Sequence, residues 1–336
     1  MKRLPPRGDD PFEPQVLRRV EGRRKVVRQR RLAGAALLGA LLLTGGVAFG
    51  ALGGGDGPSG LAGKVREQAE KPPPPPELPR GGRQIFPKHR VVGFYGAPQA
   101  EELGVLGIGD PDAVGPKLEK QARDYRARDR PILPAFELLA TIASGAPGAD
   151  GKYRNRQTDK VMGRYLEAAR KAKALLVLDI QPGQADFVTE TKKLAKYLKE
   201  PDVSLALDPE WRMDPGEIPG QTIGSVDAAE VNRVSDYLSE IVEKNDLPQK
   251  MLLIHQFTDD MIVGRDRLKK SPGVALTLNV DGFGDIAGKV SKYTEFTEEP
   301  DRFHYGFKLF YNEDTNLMTP KQVLQLKPRP DLVMYE

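Results

Sequence analysis

VSLALDPEW, residues 203–211, sets leucine at 205 and 207 and small or acidic residues at 204, 206 and 208. Successive side chains of a β-strand point to opposite faces. Leu205 and Leu207 therefore share one face, and Ser204, Ala206 and Asp208 share the other. Glu210 joins the second face if the strand continues through Pro209. An aliphatic face beside one that ends in carboxylates describes a strand covered by helices on one side, with a polar cavity at its C-terminal end.

Seven other runs read alike: VVGFYG (91–96), PILPAFEL (131–138), ALLVLDIQ (174–181), KMLLIHQF (250–257), VALTLNVDGFG (274–284), FHYGFKLFY (303–311) and DLVMYE (331–336). Helix-period segments separate most of them. Residues 161–174, 187–200 and the long segment from Ser225 to Asp246 each carry a stripe of apolar residues at helical spacing, with Lys and Glu on the solvated side. Ser225 is the expected N-cap of the longest. Thr319 and Pro320 are the expected cap and first residue of the last helix. Eight strands alternating with helices predict an α/β chain folded as a (β/α)8, TIM-type barrel over residues 83–336. In that fold the chemistry lies at the C-terminal ends of the strands.

Parity sorts the other runs. Asp179 turns inward where Leu176 and Leu178 turn outward. Thr277, Asn279 and Asp281 turn inward, and Lys308 follows Gly306 to the axis. In residues 250–257 both faces are apolar, so His255 and Gln256 compete for the inward place, and Glu137 is similarly ambiguous. The expected catalytic set is Glu210, Asp208, Asp281 and Asp179. Glu137, Trp211, His255, Lys308 and Tyr95 are the expected substrate-binding residues. Unpaired charges are too costly to bury for packing alone. Structural Lys–Asp pairs and strand-end acids that cap helices remain the competing explanation for any single member.

Paired acids suit cleavage of a glycosidic bond, where one carboxyl protonates the leaving oxygen and the other attacks or activates water. The Asp208-Pro-Glu210-Trp211 motif resembles that of (β/α)8 glycoside hydrolases with an acidic D-x-E motif after the fourth strand, the chitinase-like and lysozyme-like families among them. Four acids at one mouth repel and should raise the pKa of at least one, which casts Glu210 as proton donor, Asp208 or Asp281 as nucleophile or base, and Asp179 as tuning them. The longer D-x-x-D-x-D-x-E run of the chitinase-like enzymes is absent, and Tyr95 stands where the lysozyme-like enzymes carry an acid. The chain as a whole also resembles membrane-anchored bacterial envelope proteins. A non-catalytic barrel that binds an envelope glycan or peptide is the alternative.

A metal-dependent hydrolase built on Asp208, Glu210, His255 and Asp281 ranks third. The three histidines, His89, His255 and His304, form no H-x-H or H-E-x-x-H cluster. No metal or other cofactor is expected. ASGAPG does not make the G-x-S-x-G elbow of a serine hydrolase. GFGDIAGK (282–289) lacks the first glycine and the Ser or Thr of a phosphate loop, and its glycines predict a tight strand-to-helix turn.

Ahead of the barrel the chain changes character. The first 31 residues hold eleven Lys or Arg against four acids. Residues 32–54 are uncharged and long enough to cross a bilayer, and the basic flank predicts a cytoplasmic N-terminus with the barrel outside the cell membrane. A cleaved secretory signal is the alternative, disfavoured by the length of the apolar run. Residues 55–82, Gly-rich and then Pro-rich, are the expected linker, with Pro72 to Pro76 as an extended spacer. The positive balance of the chain belongs to the tail, since the remainder carries a net −3. That distribution excludes a nucleic-acid partner and leaves a lipid surface and a carbohydrate or cell-wall polymer as expected partners. The absence of cysteine excludes disulfides and thiolate chemistry.

Overall fold

The computed structural model describes residues 74–126 and 130–336. Eleven strands run through it: β1 (Arg90–Gly96), β2 (Ile132–Ala143), β3 (Arg154–Arg156), β4 (Leu175–Ile180), β5 (Val203–Leu207), β6 (Val226–Asp227), β7 (Lys250–Gln256), β8 (Ile262–Val263), β9 (Val274–Val280), β10 (His304–Leu309) and β11 (Leu332–Tyr335). Eight of them are parallel and join in the order β1, β2, β4, β5, β7, β9, β10, β11, with β11 pairing back onto β1. The sheet closes on itself, so the (β/α)8 barrel is the observed fold, and each of the eight runs supplies one barrel strand.

The pleat divides the core in two. Leu176, Leu178, Leu205, Leu207, Leu252, Ile254, Leu276 and Leu278 face outward into a layer shared with the helices. Val91, Leu133, Ala135, Leu175, Val177, Ala206, Met251, Leu253, Ala275, Leu332 and Met334 fill the barrel interior. Space at the axis is tight. A Cβ on Gly306 would lie 2.5 Å from Asn279 Oδ1, so the missing side chain is what admits Asn279 to the interior.

The floor is closed by the incoming chain. Leu78, Ile85 and Phe86 belong to the inner apolar cluster, and the backbone N–H groups of Ile85 and Phe86 both donate to Gln249 Oε1. The packed body thus starts ahead of residue 83, within the stretch expected to be linker. Among the described residues no helix is long and apolar enough to cross a membrane. The expected tail, the apolar run 32–54 and most of the linker lie outside the described residues.

Caps follow side-chain chemistry. Thr319 caps the final helix in a capping box with Gln322, and Pro320 is its first residue, as anticipated. Ser225 does not cap the long helix Ala228–Lys244. Asp227 does, accepting from Ala229 N, because Val226 and Asp227 are drawn into a two-strand pairing with β8. The segment 187–200 is two helices, Phe187–Lys193 and Ala195–Leu198, instead of one. Residues 281–285 make the expected turn into the helix Ile286–Phe296. Lys289 is buried there and donates to Gly282 O and Lys308 O beside Asp314, so it ties loops together.

Candidate functional site

Each of the eight barrel strands delivers a polar side chain to the C-terminal mouth. The contributors are Tyr95 from β1, Glu137 from β2, Asp179 from β4, Asp208 after β5, His255 from β7, Asp281 after β9, Lys308 from β10 and Glu336 after β11. Packing resolves the two ambiguities. Met251 and Leu253 lie in the inner cluster and Leu252 and Ile254 in the outer one, so His255 points to the axis and Gln256 away. Leu133 and Ala135 inside, with Phe136 and Leu138 outside, do the same for Glu137.

These groups form one network. His255 Nε2 is 2.8 Å from Glu137 Oε1, and its Nδ1 is 2.9 Å from Asp281 Oδ2. Lys308 Nζ lies 3.2 Å from Asp281 Oδ2, 2.7 Å from Glu336 Oε2 and 3.6 Å from the centre of the Tyr95 ring. That last contact is a cation–π interaction. On the other side Gln181 Nε2 donates to Asp208 Oδ2 at 2.9 Å and to Tyr95 Oη at 3.0 Å, and Tyr95 Oη donates onward to Asp179 Oδ2 at 3.4 Å. Ala143 N fixes the amide by donating to Gln181 Oε1. All these side chains are buried except Glu336, whose side chain is 12 % exposed.

Charge does not balance. Five carboxyl groups share the network with two cations, His255 and Lys308. Glu137 Oε2, Asp179 Oδ1 and Asp208 Oδ1 are buried without a hydrogen-bond partner. A buried carboxylate oxygen left unpaired is costly. The imbalance shows in the proton affinities. Burial, then the charge of Asp208, pushes the Asp179 carboxyl well above the carboxylate range, with His255 and Lys308 opposing. Burial works to lower His255, but Glu137 and Asp281 outweigh it and hold the imidazolium well above its ordinary value.

Glu210 and Trp211 sit differently from the expectation. β5 ends at Leu207, and Pro209–Trp211 is a short 3₁₀ turn, so parity does not carry to Glu210. A proline has no N–H for the ladder, which explains the early end. Glu210 is 3 % exposed, and its carbonyl accepts from Gly224 N. Trp211 is 2 % exposed, packed by protein where a sugar-stacking ring would lie open. His89 and His304 lie at the N-terminal ends of their strands; His304 pairs with Asp331 at the floor.

Three members were not anticipated: Gln181, Glu336 and Asn279. The first two were legible, since Gln181 shares the parity of Asp179 and Glu336 that of Met334. Asn279 was read as inward-facing without a role, and its Nδ2 approaches His255 Nδ1 at 3.5 Å. The metal-compatible donors also differ from the set expected. They are Glu137, Asp179 and His255, one atom of each lying within 4.8 Å of the others.

No protein-family model and no curated protein matches the chain. Among solved structures, the chain is similar to the D-allulose 3-epimerase of a Methylomonas species. The match has 12 % identity and a TM-score of 0.35, and covers 75 % of this chain and 85 % of that one. Similarity at that level says nothing of substrate or mechanism.

Proposed function

We propose that the protein is a carbohydrate-active enzyme of the cell envelope, a glycoside hydrolase-like (β/α)8 barrel tethered by a single crossing at residues 32–54. The observation that carries this reading is the excess of buried carboxyls at the mouth. Glycosidic bond cleavage passes through an oxocarbenium-ion-like transition state. A site with five carboxyls and two cations stabilises such a developing positive charge, and it does so in a water-poor setting where electrostatics are strong.

Asp208 is the group best disposed to face substrate. Gln181 holds one carboxylate oxygen, and the other, Oδ1, has no hydrogen-bond partner. It serves as nucleophile or base. Glu210, on the turn that follows, serves as proton donor, in keeping with the D-x-E resemblance. Lys308 and Tyr95 hold the far side of the mouth, where hydroxyl groups of the sugar would bind.

Full-length protein in mild detergent, offered a panel of cell-wall and capsular glycans, should release new reducing ends from at least one. Asp208→Asn and Glu210→Gln should each lower that turnover by roughly two orders of magnitude or more while binding persists. Unchanged turnover in both variants would remove the assignment. Tight binding with no cleavage by the wild type would make the barrel a binding protein.

A further inference from the structure

The geometry points to a divalent cation site at the barrel mouth, with Glu137, Asp179 and His255 as its protein ligands and Asp281 orienting the histidine. It rests on the same site as the carbohydrate reading and names a cofactor for it.

Three independent features carry it. The first is spacing. Metal–ligand bonds of roughly 2.1 Å put adjacent donors roughly 3 Å apart and opposite donors roughly 4.2 Å apart. His255 Nε2 and Glu137 Oε1 lie 2.8 Å apart, the separation of adjacent ligands. All three donors fall within 4.8 Å of one another, so a shift of about half an ångström closes the set.

The second feature is what lies behind the histidine. A ligating imidazole almost always gives its other ring N–H to a carboxylate, which fixes the tautomer and raises the basicity of the metal-bound nitrogen. His255 Nδ1 stands 2.9 Å from Asp281 Oδ2, and Asp281 is itself held by Lys308. Nε2 faces Glu137 Oε1, and a cation would take the place of the proton those two atoms share.

The third is the set of orphaned oxygens. Glu137 Oε2 and Asp179 Oδ1 are fully buried with no hydrogen-bond donor, on the two carboxylates that would be ligands. With His255 neutral as a ligand, five carboxylates and Lys308 carry a net −4, and a cation of charge two halves that excess. Two carboxylates and one imidazole form a hard-to-borderline donor set, which suits Mn²⁺ or Zn²⁺ over Ca²⁺ or a thiophilic metal. Water or a substrate hydroxyl would complete the coordination.

The test is Mn²⁺ uptake by full-length, chelator-treated protein, followed by electron paramagnetic resonance and by calorimetry. One Mn²⁺ per chain should bind at micromolar concentration, with a rise in melting temperature. Asp281→Asn should weaken uptake roughly 10- to 100-fold, and Glu137→Gln or Asp179→Asn by more. Asp214→Asn, an exposed acid, should leave it unchanged. Absence of stoichiometric uptake by the wild type overturns the site, and no variant need fold for that result to count. Uptake unaltered by Glu137→Gln overturns it equally. Glycan cleavage that survives chelation, without Mn²⁺ uptake, sinks the cation and spares the carbohydrate reading. Uptake with no glycan cleaved does the reverse.

Discussion

Gln99 and Gln157 clasp each other amide to amide across the mouth face, each Nε2 donating to the other's Oε1, at 2.8 and 2.9 Å. Gln99 follows β1 and Gln157 follows β3, so the pair joins two loops on the side where the polar ring lies. The ring itself is buried.

Each bond of such a pair contributes about 1 kcal/mol. Gln157→Ala removes both and should therefore raise the population with these loops parted by roughly 30-fold. Backbone amides of residues 97–109 and 144–157 should exchange hydrogen correspondingly faster, with little change in melting temperature. Equal exchange in variant and wild type would mean that the clasp does not hold the loops.

Glu190 anchors the same region from beneath. It is buried on the helix Phe187–Lys193, with Arg154 Nε at 2.9 Å and Arg156 Nε at 2.6 Å, and so pins β3 to that helix. Removing one partner of a buried ion pair strands the other. Glu190→Ala should cost roughly 3 kcal/mol in urea unfolding, toward the low end because Arg154 keeps Asp150 at 2.8 Å. A loss under about 1 kcal/mol would show that β3 is held by other means.

Stability should rise with pH through one residue at the floor. Burial pushes the Lys250 ammonium down to about 7, against the pull of Asp202 and Glu200. Its Nζ donates to the carbonyls of Glu200 and Val203. In the unfolded chain a lysine keeps its proton up to about pH 10.4. Between those two values the unfolded state binds the extra proton, so stability climbs as pH rises through that window and is lowest below it. Urea unfolding at several pH values from 7 to 10 should show this slope in the wild type and a flatter one in Lys250→Met. Identical slopes would place the titration elsewhere.

Closure of the barrel depends on its last strand. β11 pairs with β1 on one side and β10 on the other, and Tyr335 Oη meets Tyr125 Oη at 2.6 Å. Deleting residues 331–336 should open the sheet, expose the edges of β1 and β10, and promote association. A truncated chain that melts as cooperatively, and at the same temperature, would contradict the role given to β11.

The barrel was legible because alternation is a local property: Leu205 against Ala206, or Leu278 against Asn279, needs no knowledge of partners. Asp179, Asp208, Asp281 and Lys308 followed from the same rule. Legibility ended where alternation did. Both faces of β7 are apolar, so only packing decided between His255 and Gln256. Pro209 ended β5 early and moved Glu210 off the pleat. The pairing of β3 with the far end of β2, and the clasp of Gln99 with Gln157, join residues whose partners are set by loop paths that no periodic pattern encodes.

The floor of the barrel carries a consequence for orientation. Leu78, Ile85 and Phe86 close the end opposite the polar ring, and Pro76 O is held there by Arg83. The polypeptide therefore enters at one pole while the acidic ring lies at the other. Any tether through the preceding residues thus joins the barrel at its closed end, the pole opposite the acidic ring.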